Sequence, residues 1–219
     1  YKWDLGWMND TLNYLKKDPV YRKWHHNNIT FSMAYFYSER FLIEFSHDEV
    51  VHGKATIINK MWGTYEQKFA QLRTLYLYMF THPGKKLNFM GNELAHWREW
   101  DEMKENDWFL LSYPAHDAFH RYFALLGELY TSETTLYEND YSWESFEWID
   151  ADNADKNMFS YLRKGKDKDY VVILNFSPNT YTQEVFGVVS KGTYREIINT
   201  EWERFGGTLA EQPQHCHAA

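Results

Sequence analysis

The sequence predicts an α/β region followed by an all-β domain. In residues 1–137, stretches with helical spacing of apolar residues alternate with short, continuously apolar strands. This alternation is typical of a parallel sheet covered by helices, either doubly wound or closed into a barrel. After about Glu138, short strand candidates follow one another with no helical period between them. We therefore predict two domains, 1–137 and 138–219.

The first region is built from predicted helices and strands in turn. Apolar residues that recur every three or four positions indicate the helices, and runs of apolar residues indicate the strands. The predicted helices span 4–17, 31–40, 65–81 and 114–130, and the predicted strands span 41–45 and 86–90. Thr30 is the expected N-cap of the second helix, and Pro19 and Pro83 follow the ends of two others.

The second region is predicted to contain short strands between turns rich in Asp, Asn, Gly and Lys. The expected strands span 145–149, 157–163, 169–175 and 194–199. The pattern ends at Phe205-Gly206-Gly207, and the polar tail 211–219 carries no strand signal. We therefore expect this domain to finish before the tail.

The net charge, the hydropathy pattern and the cysteine content of the sequence indicate which partners and which cell compartment to expect. The formal net charge is -8, and the Lys and Arg residues are scattered, which argues against nucleic acid as a partner. No apolar run reaches the roughly 20 residues that a membrane-spanning helix needs, so no membrane partner is expected. The single cysteine, Cys216, has no partner for a disulfide within the chain. These features predict a soluble protein of the cytoplasm.

Aromatic residues are unusually frequent, at 19% of the sequence with 10 Trp. Because sugar rings present flat C–H faces that stack on aromatic side chains, this composition suggests a carbohydrate ligand. The competing interpretation is that most of these rings fill the core.

Polar residues follow directly after two of the predicted strands. The strand 41–45 runs into Ser46-His47-Asp48-Glu49-Val50-Val51-His52-Gly53-Lys54, in which seven of nine residues are polar, charged or glycine. The strand 86–90 is followed by Gly91-Asn92-Glu93. Charged groups at the end of a buried strand are costly unless a site uses them, and in a parallel barrel that end carries the active site. The two strand ends therefore predict one site.

The carboxylates of this site can be paired on geometric grounds. On an extended strand, Asp48 and Glu49 would point to opposite faces, so only one of them can face the site. Asp48 and Glu93 are a better pair, because adjacent strands lie about 4.8 Å apart and a retaining glycosidic mechanism needs carboxylates roughly 5 Å apart. A metal site at His47, Asp48 and His52 is the weaker hypothesis, since no second cluster completes a ligand spacing. We predict no metal and no cofactor.

Several segments in the same order resemble glycogen branching enzymes of the α-amylase superfamily. The matching segments are 1–10, 18–22 with His25-His26, 46–54, 83–93, 98–100 and 107–108. Segment 46–54 is similar to the fourth signature region of the superfamily in its branching-enzyme form. The resemblance is dense up to about Leu111 and weaker at Gly206-Gly207.

The resemblance implies a fold and a set of roles. Residues 1–137 would be the carboxy-terminal part of a (β/α)8 TIM barrel, from about its sixth strand, and 138–219 a β-sandwich domain. Asp48 would stabilise the oxocarbenium-like transition state, and His47 would bind substrate beside it. Glu93, from its place at a strand end, and Trp97, as a stacking residue, are further substrate-binding candidates. The implied reaction cleaves an α-1,4-glucan chain and transfers it to a 6-hydroxyl, forming an α-1,6 branch.

The sequence also departs from the family pattern. The nucleophilic aspartate and the general-acid glutamate belong to barrel strands that would precede Tyr1, and no segment of this chain resembles their motifs. We therefore expect the 219 residues alone to be inactive. Two alternatives stay open: an α-glucan hydrolase of the same superfamily, which would use Asp48 equally well, and a non-catalytic glucan-binding piece.

Overall fold

The computed structural model describes residues 1–218. The helices are α1 (Leu5–Leu15), α2 (Pro19–Arg22), α3 (Asn27–Thr30), α4 (Ser32–Tyr35), α5 (Tyr65–Thr81) and α6 (Pro114–Ser132). The strands are β1 (Lys2–Trp3), β2 (Phe41–Phe45), β3 (Lys85–Asn88), β4 (Phe146–Asp150), β5 (Met158–Arg163), β6 (Tyr170–Asn175), β7 (Gly192–Arg195) and β8 (His215–Ala218). Short 3₁₀ turns at His47–Val50 and Asn92–Leu94 follow β2 and β3.

The long helices form where local signals agree. The Asp4 carboxylate accepts a hydrogen bond from the Trp7 N–H at 2.9 Å and caps α1. At the start of α5, Thr64 and Gln67 form a capping box, in which each side chain satisfies the other residue's backbone N–H. The predicted bounds of β2 and α5 are confirmed, and α6 runs two residues beyond its predicted end.

The prediction of a helix over 31–40 capped by Thr30 is wrong. Thr30 is the last residue of α3, and Phe31 has helical torsions of φ −65° and ψ −31°. An N-cap residue needs a non-helical backbone, which this position lacks. The chain instead passes through α4 and a 3₁₀ turn before β2.

Two strands were not predicted from the sequence. β1 is only two residues long and forms by pairing parallel to β2, with Trp3 opposite Leu42. β8 lies in the tail that carries no strand signal, and it pairs antiparallel to β7 over Gly192–Arg195. Backbone hydrogen bonds to a partner strand stabilise both, so side-chain patterns do not reveal them. Ala219, the last residue of the tail, lies outside the described residues.

The first region contains a parallel sheet in the order β1-β2-β3. The register of β2 and β3 places Phe45 opposite Asn88, so both strands end at the same edge. Phe45 packs against Trp7 of α1 and Tyr76 of α5, with ring centroids 5.3 Å and 5.8 Å apart. Helices therefore cover the sheet face that carries Phe45, as expected for an α/β fold.

The second region is built from antiparallel strands. β4, β5 and β6 form one sheet, with an irregularity between Trp148 and Asp150, and β7 and β8 form a separate two-stranded ladder. All six residues of β5 are buried. The predicted strands 145–149, 157–163 and 169–175 are confirmed with end shifts of one residue, whereas the strand predicted at 194–199 lies earlier in the chain, at Gly192–Arg195.

A buried arginine joins the two regions. Arg163, at the end of β5, has a solvent-inaccessible side chain. Its Nη1 donates to the Thr81 carbonyl at 2.7 Å and its Nε to the Ser145 carbonyl at 3.3 Å. Its Nη2 lies 3.3 Å from Asp140, whose other oxygen accepts from Lys85 of β3 at 2.9 Å. One guanidinium therefore connects the end of α5, the residue before β4 and, through Asp140, the parallel sheet.

Arg22 also connects the two regions. Its buried guanidinium donates to the carbonyls of Lys17, Leu15 and Phe176, the last at 2.6 Å just after β6. Burial lowers the pKa of Arg22 to about 10. Nearby, the His26 ring stacks on Phe159 at 4.0 Å. The first region and the antiparallel sheet thus share buried polar contacts as well as a core.

Within the part of the chain that the structure describes, no helix has both the length and the apolar character that crossing a membrane requires.

Replacing Arg163 by Met should destabilise the chain by about 3–5 kcal/mol, because Asp140 and several carbonyls lose their buried donor. Urea unfolding measures the difference. Lys164→Met is the matched control, since the exposed Lys164–Glu147 ion pair contributes at most about 1 kcal/mol. Equal unfolding free energies for the two variants would contradict the assignment.

Candidate active site

The chain turns sharply where β2 ends. Ser46 is extended, and its Oγ accepts a hydrogen bond from the Asp48 N–H at 3.3 Å, which starts the 3₁₀ turn His47–Val50. The sequence argument assumed an extended backbone at Asp48 and Glu49, which is wrong. The two carboxylates nevertheless differ: the Asp48 side chain is 60% exposed, whereas that of Glu49 is 14% exposed and lies 3.7 Å from Lys54 Nζ. Asp48 is the one open to a ligand.

The end of β3 meets the same edge. The Phe89 N–H donates to the Phe45 carbonyl at 2.9 Å, which continues the ladder by one residue. Gly91 then turns the chain with φ +91°, and the Asn92 side-chain amide donates to Asn88 Oδ1 at 3.3 Å. The two polar segments identified in the sequence therefore follow neighbouring strands at one edge of the sheet.

Glu93 lies in the turn after β3, beside the helices. Its backbone carbonyl is 3.4 Å from His120 Nδ1 of α6. Burial raises the pKa of the Tyr76 phenol, and the nearby Glu93 carboxylate raises it further. Asn92, which sequence reasoning did not select, is the buried polar residue of this turn and reaches toward the end of β2. Its burial had no signal in the sequence.

His47 lies beside Asp48 in an aromatic corner. Its Nε2 is 3.3 Å from Asp48 Oδ1. Phe89 and Trp100 pack near the imidazole, with ring centroids 5.8 Å and 6.5 Å away, and they contact each other edge-to-face at 5.2 Å. Phe89 and Trp100 therefore restrict the position of the His47 ring on one side, while about half of the His47 side chain stays exposed.

Trp97 occupies a different place from Trp100. Its ring stacks on Tyr65 with centroids 5.9 Å apart, and its Nε1–H donates to His116 Nε2 at 3.2 Å. Burial lowers the pKa of His116, so the ring is neutral and its Nε2 accepts while Nδ1–H donates to the Leu94 carbonyl. Of the two tryptophans, Trp100 is the one that packs on His47.

A cleft of about 580 Å³ opens beside His47. Its lining includes His47, His52, Arg98, Trp100, Asp101 and Lys104. Imidazole, guanidinium, ammonium and carboxylate groups around one indole suit a ligand with many hydroxyls and a flat face. Across residues 1–218, no three His, Cys, Asp or Glu side chains come together as a metal-ligand set.

A buried carboxyl lies directly before this turn. Glu44, in β2, is solvent-inaccessible, and neither of its side-chain oxygens has a hydrogen-bond partner within the described residues. Burial raises the pKa of Glu44 above its usual value, the nearby polar groups of Ser46 offset part of this rise, and the charges of Glu49 and Asp48 add to it. Since Ile43 and Phe45 belong to the core that includes Trp7, alternation along the strand places Glu44 on the other face of the sheet.

Comparisons with known proteins identify relatives of this chain. The profile of a family described as "Alpha amylase, C-terminal all-beta domain" matches residues 148–218. A "1,4-alpha-glucan branching enzyme GlgB" of Oceanobacillus iheyensis is 49% identical over 95% of this chain and 33% of its own length. Proteins of the same name from Francisella tularensis subsp. mediasiatica and Geobacillus stearothermophilus are each 48% identical, over 99% and 94% of this chain and 36% and 33% of their own lengths.

The match to an alpha amylase carboxy-terminal domain, together with relatives about half identical over nearly the whole chain, places this chain in the α-amylase superfamily. Within that superfamily the chain belongs with the 1,4-α-glucan branching enzymes and matches their carboxy-terminal part. It spans about a third of the length of the curated relatives that it matches.

Glu44→Gln should change the pH dependence of stability. Because the folded-state pKa of Glu44 is raised, the unfolded chain ionises first as the pH rises above 4.5, so stability falls with pH until the folded state also ionises and then stays at the lower level. The variant should therefore gain unfolding free energy relative to the wild type between acidic and neutral pH. Thermal unfolding across that range measures it, with the exposed Glu147→Gln as control; parallel curves for wild type and Glu44→Gln would contradict it.

Proposed function

We propose that this chain is part of a 1,4-α-glucan branching enzyme, which cleaves α-1,4-linked glucan chains and transfers them to form α-1,6 branches. The observation that supports this most strongly is the polar edge formed by two adjacent parallel strands, in a chain about half identical to proteins named as branching enzymes. The proposed partner is an α-glucan such as glycogen. The proposed location is the cytoplasm, as the single cysteine suggests.

We propose that the parallel sheet is the last part of a (β/α)8 barrel. The order β1-β2-β3, with sequential neighbours paired in parallel and helices on one face, fits consecutive barrel strands. In such a barrel, β1 and β3 would each pair with a further strand, and Glu44 would face the interior. The division into a barrel portion at 1–137 and a sandwich domain at 138–219 belongs to this proposal.

In the proposed mechanism, Asp48 supplies negative charge next to the scissile linkage. Its carboxylate is exposed above the strand ends, where it can face an oxocarbenium-like transition state and accept hydrogen bonds from sugar hydroxyls. His47 supports this role, since its Nε2 lies 3.3 Å from Asp48 and its ring is held by Phe89 and Trp100. A positioned imidazole can also bind a hydroxyl of the same sugar.

Glu93 and Trp97 are the other proposed substrate-binding residues. Glu93 is only partly buried in the turn after β3, which supports a place on the acceptor side. Trp97 is only partly buried despite its contacts with Tyr65 and His116. Trp100 is added to the proposal because it packs on His47 and lines the cleft.

The covalent step needs two carboxylates besides Asp48, a nucleophile and a general acid. The resemblance places both on earlier barrel strands, so the proposed active unit is the longer enzyme rather than these 219 residues. The experiments below therefore use the full-length enzyme that contains this chain.

Asp48→Asn in the full-length enzyme should lower branching activity on amylose by at least about 10²- to 10³-fold. The neutral amide no longer provides the negative charge that stabilises the positively charged transition state. New α-1,6 linkages are counted by debranching and chain analysis. Glu49→Gln is the matched control and should keep most of the activity, since Glu49 points toward Lys54.

The same assay separates the alternatives. Formation of reducing ends without α-1,6 linkages by the wild-type enzyme would identify a hydrolase. Full activity of Asp48→Asn would remove Asp48 from the mechanism. Glycogen binding by the 219-residue chain, with no activity in the full-length enzyme, would favour a glucan-binding role.

Trp97→Leu and Trp100→Leu test the two aromatic residues as a pair. Loss of one stacking contact should raise KM for amylose by about two- to tenfold. We expect this effect for both variants. An unchanged KM in Trp97→Leu, together with a lower melting temperature, would show that Trp97 only packs against α5 and α6.

A further inference from the structure

The loop that follows the Asp48 turn has an unusual backbone. His52, Gly53 and Ala55 have φ values of +57°, +77° and +66°. Glycine adopts this left-handed region readily, but His52 and Ala55 do so only when their surroundings impose it. Such strain collects near functional sites, and this loop begins three residues after Asp48.

The Glu99 carboxylate, in the segment after β3, accepts two hydrogen bonds from the backbone of the loop 51–55. Glu99 Oε2 accepts the Gly53 N–H at 2.9 Å, and Oε1 accepts the Ala55 N–H at 2.7 Å. These two hydrogen bonds lower the pKa of Glu99, which keeps it ionised at neutral pH. The next residue, Trp100, donates its own N–H to the Val50 carbonyl at 2.9 Å. The segment after β3 is therefore bonded to the loop at two backbone positions and to the preceding turn at Val50.

The buried Lys60 donates hydrogen bonds to the backbone before the loop and at its end. Lys60 is buried, and its Nζ donates to the carbonyls of Glu49 and Ala55, the latter at 2.7 Å. Burial lowers its pKa to about 8. Lys60 thus joins the end of the loop to the residue next to Asp48, and Glu99 fixes that same end through the Ala55 N–H.

We propose that Glu99 is a positioning residue for the reaction, acting through the loop 51–55 on the turn that carries Asp48 and His47. The path is short: Glu99 fixes Ala55, Lys60 connects Ala55 to Glu49, and Glu49 adjoins Asp48. Glu99 lines the cleft beside His47, but both of its carboxylate oxygens accept hydrogen bonds from the loop, so the proposed role does not require contact with the substrate. The inference rests on the proposed function, because it assigns Glu99 to the same reaction.

A role of Glu99 in the stability of the whole fold is a weaker explanation for these hydrogen bonds than a role in positioning the loop. Glu99 is only partly buried, and its two hydrogen bonds go to the N–H groups of Gly53 and Ala55, which lie outside the hydrophobic core, so we expect its replacement to leave the core unchanged. The effect of losing Glu99 should therefore appear in the loop and in catalysis rather than in global stability.

The experiment compares Glu99→Gln with Glu105→Gln in the full-length enzyme. Glu105 lies in the same segment, is exposed, and loses the same charge without a side-chain contact to the loop. For Glu99→Gln we expect kcat to fall about 10- to 100-fold, because small misplacements of a reacting group have effects of this size. KM should stay within about twofold. Hydrogen exchange should become at least about tenfold faster in a peptide covering 50–56.

Glu99→Asp should recover part of kcat, since a shorter carboxylate can still accept one of the two N–H groups. Faster exchange with unchanged kcat would overturn the proposal, because the loop would then not matter for catalysis. A lower kcat with unchanged exchange would also overturn it, because Glu99 would act by another route. An equal loss of kcat in Glu105→Gln would show that the loss comes from the changed charge of the segment, and this would also overturn the proposal.

Asp48→Asn, measured in parallel, separates this inference from the proposed function. If Asp48→Asn is inactive while Glu99→Gln behaves as wild type, only the positioning role fails. If Asp48→Asn is fully active, the assignment of the site itself fails.

Discussion

The structure depends most on the buried guanidinium of Arg163. It lies where the antiparallel sheet meets the end of α5, and it donates to several carbonyls while facing Asp140. A charge in such a place is tolerated only when its hydrogen-bonding groups are satisfied. Lys85 adds a second cation to Asp140 at the start of β3. The position of β3, and with it the polar turn after β3, is therefore linked to the all-β region.

Hydrogen bonds to backbone atoms arrange the candidate site in the same way. Lys60 donates to carbonyls of this region, and Glu99 accepts from N–H groups of the loop. These two opposite charges stabilise the left-handed backbone conformation of His52 and Ala55, which non-glycine residues rarely adopt. Asp48 is left exposed at the centre of this arrangement. An exposed carboxylate on a held turn is suited to meet developing positive charge without reorganising.

Local signals predicted much of the fold. The apolar spacing of 65–81 predicted α5 with its observed bounds, because this spacing depends on neighbours within the same helix. The structure adds the capping box of Thr64 and Gln67 at the start of the helix. The same reasoning failed at Thr30, where the helical backbone continues, and at β8, which exists only through its partner strand. Pairing with a distant segment leaves no periodic trace in a short strand.

The sequence by itself determined the chemistry at the end of β2: the order His47-Asp48, the polar residues after two apolar strands, and the likeness to branching enzymes. Only the tertiary structure decided which groups meet. It turned Asp48 outward and Glu49 toward Lys54, placed Trp100 rather than Trp97 beside His47, and brought Glu99 to a loop more than forty residues earlier in the chain. The physical reason is that hydrogen bonds and ring contacts depend on distances in space, which strand pairing sets and residue order does not.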